Sequence, residues 1–183
     1  GLAIASPAAA VQCGDTIGPN QTATLQEDLL CDITTGGLVV IGPAEVHMDG
    51  HAIKCQDLNG IVPSGIEILG RDAKVYGSDN VVFGTVSDCF YGVVVRGEGH
   101  HTVENVMAER GREAGFYVAS SKNTLRWNYT DQGPSGFVIG DQSRNNKLLD
   151  NAALFHDDKG FQIHGTKHQL QRNSAVLNEG HGV

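Results

Sequence analysis

The strongest constraint in this chain is a glycine that returns at an almost fixed interval, each time opening a short run of alternating apolar residues. Tyr91-Gly-Val-Val-Val95, Ala114-Gly-Phe-Tyr-Val118, Ser135-Gly-Phe-Val-Ile139, Lys159-Gly-Phe-Gln-Ile163 and His181-Gly-Val183 place glycines at 92, 115, 136, 160 and 182, in steps of 23, 21, 24 and 22. Ser64-Gly-Ile-Glu-Ile68 extends the series upstream by a longer step of 27. A period of this size is the mark of a stacked-repeat architecture, in which one unit cannot bury its apolar face without its neighbours.

A second series runs inside each unit. Leu125, Leu148 and Leu170 recur at steps of 23 and 22, and each is followed three residues later by an asparagine, Asn128, Asn151 and Asn173. One unit therefore holds a short strand after the glycine, a turn, a second strand and then the asparagine, with no room for a helix of useful length. Asparagine tolerates the left-handed backbone region, so one per turn at a fixed place predicts a stacked corner. Its amide can bond the asparagine of the next rung and satisfy groups otherwise buried unpaired. Asn105 stands one position out of this series and reads as a rung with a one-residue corner change.

The glycine-led strand openings, the asparagine corners and the segment Glu45-Val-His-Met-Asp-Gly-His-Ala-Ile53 resemble the right-handed parallel β-helix proteins. These form the pectate-lyase-like group, which includes many carbohydrate-binding proteins and sugar hydrolases. The resemblance covers roughly residues 13 to 183 and implies an all-β fold, a single-stranded right-handed parallel β-helix. It says little about activity, because one fold hosts many functions.

Residues 1–12 stand apart from this pattern. Their Leu-Ala-Ile-Ala-Ser-Pro-Ala-Ala-Ala composition matches the tail of a secretory signal, with Ala8-Ala9-Ala10 as the cleavage site, or else an N-terminal arm. The β-helix domain then spans 13–183, with 13–37 as an irregular N-terminal cap and 38–183 as rungs. Export makes two disulfides the natural use of the four cysteines. Three pairings are open, and the economical choice joins neighbours, Cys13 with Cys31 and Cys55 with Cys89. Their spacings of 18, 24 and 34 do not suit a metal site. The expected location is secreted, extracellular or periplasmic. A net charge of −8 without clustered Lys and Arg argues against a nucleic-acid partner, and no apolar run is long enough to cross a membrane.

Strand side chains alternate faces, so Val93, Phe116, Phe137 and Phe161 should point inward with Val95, Val118, Ile139 and Ile163. The opposite face is where proteins of this group usually keep a polysaccharide cleft. It should carry Glu67, Val94, Tyr117, Val138 and Gln162 in one row, and Leu69, Arg96, Ala119, Gly140 and His164 in the next. Val94, Tyr117 and Val138 would form an apolar stripe for a sugar ring or a partner protein, flanked by Arg96 and Gln162. A lyase of acidic polymers would line this wall with carboxylates for calcium and a base for proton abstraction; only Arg96 and His164 fit such a role here, and they lie three rungs apart.

The densest reactive stretch is Phe155-His-Asp-Asp-Lys-Gly-Phe-Gln-Ile-His-Gly-Thr-Lys-His168. A turn bearing His156, Asp157, Asp158 and Lys159, with His164 beyond it, holds the residue types from which uronate lyases and epimerases draw a base and a charge neutraliser. Certain alginate epimerases carry similar residues in another order on a similar fold. The plainer reading is a solvated loop. Periplasmic copper-maturation proteins share the fold, which keeps metal binding by His156, His164 and His168 in view, although no motif specifies calcium or a transition metal. His100-His101, His47 and His51 read as turn residues without acidic companions. Asn20 is the credible N-glycosylation acceptor, since Asn128 is claimed by the inner ladder.

The sequence stops on the opening of a further repeat, at His181-Gly-Val183, which predicts either a piece of a longer β-helix or an uncapped end suited to head-to-tail self-association into a filament. The expected role is therefore structural or binding, by self-association or by contact with extracellular polysaccharide. The alternative is a lyase or epimerase of uronate polymers.

Overall fold

The computed structural model describes residues 10–58, 60–78 and 82–180. The proposed signal remnant, apart from its last three residues, and the repeat opening at Gly182 lie outside them. The described chain winds as a right-handed parallel β-helix of seven turns, with three short strands per turn and no helix among the described residues. Numbered along the chain, the first sheet contains β1 (Thr16–Ile17), β4 (Leu38–Ile41), β7 (Ile66–Leu69), β10 (Tyr91–Val95), β13 (Ala114–Val118), β16 (Ser135–Ile139) and β19 (Lys159–Ile163). The second contains β2 (Thr22–Thr24), β5 (Glu45–His47), β8 (Lys74–Tyr76), β11 (Thr102–Glu104), β14 (Thr124–Arg126), β17 (Lys147–Leu149) and β20 (Gln169–Gln171). The third contains β3 (Leu29–Cys31), β6 (Ala52–Cys55), β9 (Gly84–Ser87), β12 (Val106–Glu109), β15 (Tyr129–Asp131), β18 (Ala152–Leu154) and β21 (Ser174–Val176).

Two strands per unit were expected from the sequence; the third, at the level of Tyr129–Asp131 and Ala152–Leu154, is only three residues long and carries one inward side chain. That is too short for alternation to reveal. The segment expected as an irregular cap closes the end with short strands of its own, β1 to β3, tied down by the Cys13–Cys31 disulfide. Within it Leu25 and Leu29 face the core while Leu30 is exposed. The second disulfide joins Cys55 to Cys89 as expected.

The predicted interior stack is present. Phe116, Phe137 and Phe161 lie in register with Val93, and successive rings are parallel with centroids 4.8 Å apart. The repeating glycines make that core possible. A Cβ on Gly136 would come within 2.4 Å of the Gly160 carbonyl oxygen and 2.9 Å of Ala153 Cβ, so the first sheet closes against the third only if the position is bare. The periodic glycine is a demand of packing and not of backbone dihedral.

The corners work differently from the sequence reading. At most of them one non-glycine residue has positive φ, and the residue after it turns its side chain into the coil. In the fourth to seventh turns, the corner between the second and third sheets has positive-φ residues Asn105 (56°), Trp127 (55°), Asp150 (57°) and Arg172 (52°), and inward residues Val106, Asn128, Asn151 and Asn173. The ladder asparagines thus occupy their places for their amides. Each Oδ1 accepts the backbone N–H of the preceding rung's inward residue, Val106 to Asn128 at 3.1 Å, Asn128 to Asn151 at 3.0 Å and Asn151 to Asn173 at 3.0 Å. Asn105 is no ladder member with an altered corner; it holds the left-handed position, and Val106 ends the ladder.

The two other corners carry ladders the sequence reading passed over. Between the first and second sheets the inward positions are Ala73, His101, Asn123, Asn146 and His168. His101 and His168 copy the asparagine bonds with a ring: Nδ1 accepts the N–H of the previous rung (Ala73 and Asn146, both 3.1 Å), and Nε2–H donates to a carbonyl (Arg96 at 2.9 Å, His164 at 2.8 Å). Between the third and first sheets His156 and Asn178 hold the equivalent places.

Candidate functional site

The outer wall of the first sheet carries the two rows anticipated from strand alternation. Glu67, Val94, Tyr117, Val138 and Gln162 stand in register across β7, β10, β13, β16 and β19. Arg96, Ala119, Gly140 and His164 follow one residue beyond their strands. One member is corrected: Val94 is 1% exposed. Its short side chain sits between two longer ones in its row, Glu67 and Tyr117, so it offers no contact surface. The apolar stripe reduces to Tyr117 and the half-buried Val138.

An aromatic run that the sequence did not single out replaces it. Phe90, 41% exposed, meets Tyr91 edge-on with centroids 4.9 Å apart, and Tyr91 stacks on Tyr117 at 5.2 Å and 22°. Burial raises the Tyr91 phenol above its usual pKa, with Glu113 adding to the effect, so it remains a protonated donor. Beside Phe90, the loop leaving β6 is held by the buried Cys55–Cys89 bridge and by Arg112, which pairs with Asp57 and donates to the Gly60 carbonyl at 3.4 Å.

Past Tyr117 the wall sinks into an open depression of ≈ 320 Å³ lined by Tyr117, Ala119, Gly140, Asp141 and Gln142. Its origin is simple. Two adjacent rungs carry Ala and Gly where the rungs on either side carry Arg96 and His164. Arg96 is drawn onto Glu67 (2.9 Å), and His164 Nδ1 lies 3.3 Å from Asp141 Oδ1 while its Nε2 is 2.8 Å from Gln162 Nε2. The depression therefore has an aromatic side, a bare floor, and rims that supply a carboxylate, an imidazole and amides.

The His-Asp-Asp-Lys turn is not the exposed cluster expected. His156 is 1% exposed, its Nε2 is 2.9 Å from Thr130 Oγ1, its Nδ1 is 3.1 Å from the Gly133 carbonyl, and its N–H is bonded to Asn178 Oδ1. Burial lowers its pKa below the usual imidazole range. Both ring nitrogens are spent on the corner. Asp157, Asp158 and Lys159 remain on the surface at the start of β19, whereas His164 stands at its far end, about 16 Å away along an extended strand. His168 is likewise committed to its ladder. The five candidates do not converge on a reacting atom.

A polar cluster on the second sheet's outer wall was also missed, because Lys74 and Tyr76 join Glu45 and His47 from the next rung. Glu45 lies 2.7 Å from His47 Nε2 and accepts from Lys74 Nζ at 3.3 Å, and His47 packs on Tyr76 with centroids 5.3 Å apart. His51 similarly meets Asp28 at 3.3 Å, so both histidines have acidic companions after all. Desolvation opposes ionisation of Glu45, yet its bonds to His47 and Lys74 prevail and lower its pKa; Lys74 is raised by Glu45, and Tyr76 by burial. Each group is pushed further into its ordinary charge state, the behaviour of an ion-pair network rather than of a poised acid or base.

Metal donors are dispersed over all three walls. All four cysteines are in disulfides, Met48 is in the core, and His101, His156 and His168 are bound into corners. Among the described residues no three His, Cys, Asp or Glu side chains come together as a metal site. The potential sequon at Asn128 is closed by its burial, while Asn20 is exposed.

Residues 35–183 match the family described as NosD: Periplasmic copper-binding protein (NosD). No curated protein and no solved structure matches the chain.

Proposed function

The chain belongs to the NosD family of periplasmic copper-binding proteins, and from that premise we propose that it is a periplasmic binding module that engages a polysaccharide through the outer wall of its first sheet. The two disulfides fit such an oxidising compartment. The family description implies copper, but the described residues do not fit a resident copper ion. His164 with Asp141 supplies two donors, and no thiolate, thioether or further imidazole stands with them. The proposed role therefore rests on the wall and not on a metal.

The observation that carries it is the aromatic run of exposed Phe90 and half-buried Tyr91 and Tyr117 leading into the depression at Gly140. Rigid aromatic faces next to amides and a carboxylate are suited to sugar rings, which present an apolar face edged by hydroxyls. The lyase or epimerase alternative is not favoured, because His156, one of its candidate residues, has neither a free ring nitrogen nor access to solvent, and the other candidates do not converge with it.

Affinity electrophoresis through gels containing single polysaccharides tests the reading. Retardation by at least one polymer is expected, weakened roughly fivefold in Tyr117→Ala if one ring contact contributes about 1 kcal/mol. Migration unaffected by every polymer would remove it. Head-to-tail self-association is a separate proposal for sedimentation velocity, with species that grow with concentration supporting it and a constant monomer removing it.

A further inference from the structure

We infer that the depression beside Tyr117 is a subsite for one uncharged pyranose unit, and that Gly140 is its specificity-determining residue. This rests on the reading of the first sheet's wall as a polysaccharide-binding face. The argument begins with what Gly140 is not doing. The glycines of the core column are compelled: a Cβ on Gly92, Gly115, Gly136 or Gly160 would lie 2.4 to 2.6 Å from a neighbouring heavy atom. Gly140 is under no such demand. Its φ is not in the left-handed region, and a Cβ there would meet the Val118 carbonyl oxygen at 3.4 Å, Ala119 Cα at 3.6 Å and Tyr117 Oη at 3.8 Å, all ordinary contacts. Its backbone is fully engaged, donating to the Val118 carbonyl at 2.9 Å and accepting from Ser143 Oγ at 2.7 Å. The fold would accept a side chain at 140, but the depression would not. Its floor is Gly140 and Ala119, and any longer residue would stand beneath the Tyr117 hydroxyl and fill it.

The chemistry of the rim selects the occupant. Tyr117 offers one flat apolar side. Asp141, 85% exposed at its side chain, offers carboxylate oxygens, and Gln142 an amide. Sugar hydroxyls can donate to the first and exchange bonds with the second. A uronate would set its carboxylate against Asp141 on a protein of net charge −8, and among the described residues no lysine or arginine lines the depression, Arg96 being held by Glu67 and the His164 ring by Asp141. The site therefore favours neutral sugars over uronates. A volume of ≈ 320 Å³ is at the small end of ligand pockets, enough for one ring of a chain that continues over the wall.

The experiment is isothermal titration of the intact protein and of Gly140→Leu with neutral hexasaccharides of glucose (β-1,4 and α-1,4) and of N-acetylglucosamine, and with hexagalacturonate. Thermal melts of both proteins run alongside, with Gly136→Leu as a core-column comparison. The expected result is that the parent binds at least one neutral hexasaccharide and binds hexagalacturonate at least tenfold more weakly. Gly140→Leu should lose the neutral ligand tenfold or more while melting like the parent, and Gly136→Leu should melt lower. Undiminished binding by Gly140→Leu with weakened binding by Tyr117→Ala overturns the subsite and leaves the wall reading standing. Equal or tighter binding of hexagalacturonate overturns the charge selection. Absence of binding by the parent to all four oligosaccharides and to whole polysaccharides overturns the wall reading itself, and the subsite with it.

Discussion

Replacing Asn151 with alanine should unlock a corner of the coil, and the bonds of this one side chain allow the cost to be worked out. Asn151 is 1% exposed. Its Oδ1 accepts from the Asn128 N–H at 3.0 Å and from Asn128 Nδ2 at 3.1 Å; its Nδ2 donates to the Leu125 carbonyl at 3.0 Å and to Asn173 Oδ1 at 3.0 Å. Two of these partners are insured, since Asn128 Nδ2 keeps the Val103 carbonyl at 2.9 Å and Asn173 Oδ1 keeps the Asn151 N–H at 3.0 Å. The Asn128 N–H loses its partner outright, and the Leu125 carbonyl loses its side-chain donor. A buried donor left unpaired costs about 1–3 kcal/mol, and each lost bond about 1 kcal/mol more, for a sum of roughly 2–5 kcal/mol. That is a large share of the 5–15 kcal/mol on the order of which domains are stable. At about 2–4 °C per kcal/mol for a chain of this length, Tm should fall by roughly 10 °C. Urea unfolding followed by far-ultraviolet circular dichroism gives the free energy, and hydrogen exchange at Asn128 reports the opened bond locally. Asp150→Asn, which keeps a residue tolerant of the left-handed region next door but removes the surface pair with Arg172, should unfold close to the parent. A loss below about 1 kcal/mol for Asn151→Ala, or unchanged protection at Asn128, would refute the ladder as a source of stability.

Three further outcomes follow from the same geometry. Burial depresses the pKa of His101 and of His156, so between their folded pKa values and about 6.5 the unfolded chain binds more protons than the folded one. Stability should be full above about pH 6.5 and fall as pH drops below it, and His101→Asn, which restores the residue type found at 123 and 146, should flatten part of that slope in melts at pH 7.5 and 5.5. Phe137→Ala removes the middle ring of a stack with neighbours at 4.8 Å on both sides and should cost about 3–5 kcal/mol in denaturant titration. Gly136→Ala should destabilise measurably in thermal melts, whereas Gly140→Ala should be nearly silent, because the first Cβ meets a carbonyl oxygen at 2.4 Å and the second meets nothing nearer than 3.4 Å.

What the sequence determined by itself is the repeat and everything that the repeat forces. A parallel coil places residue i over its counterpart in the next turn, so a period near 22 with Phe116, Phe137 and Phe161 at equivalent points already specified ring over ring. The alternation of Val93 and Val95 against Val94 specified which residues face in. Burial also made Asn128 a ladder residue before it could be a sequon, and the two disulfides joined cysteines near in sequence. The ladder of His101, Asn123, Asn146 and His168 was legible too, at steps of 22, 23 and 22, but only to a reader willing to count histidine as asparagine. The bond pattern that makes them equivalent belongs to ring geometry and not to residue class.

Only the tertiary structure decided how far each outward residue reaches. Val94 faces out and is covered, because exposure depends on the length of the side chains one rung above and below, and those lie some 23 to 27 positions away in the chain. His156 was read as solvated from its polar neighbours, yet a corner one residue long turns it inward onto Thr130 and Gly133 while Asp157 and Asp158 stay outside. The depression at Gly140 is likewise a property of four rungs together: Arg96, Ala119, Gly140 and His164 are unremarkable in their own strands and make a hollow only when stacked. Periodicity is local information repeated, so the sequence carries it openly; a surface is made of differences between distant rungs, which nothing in a linear pattern brings side by side.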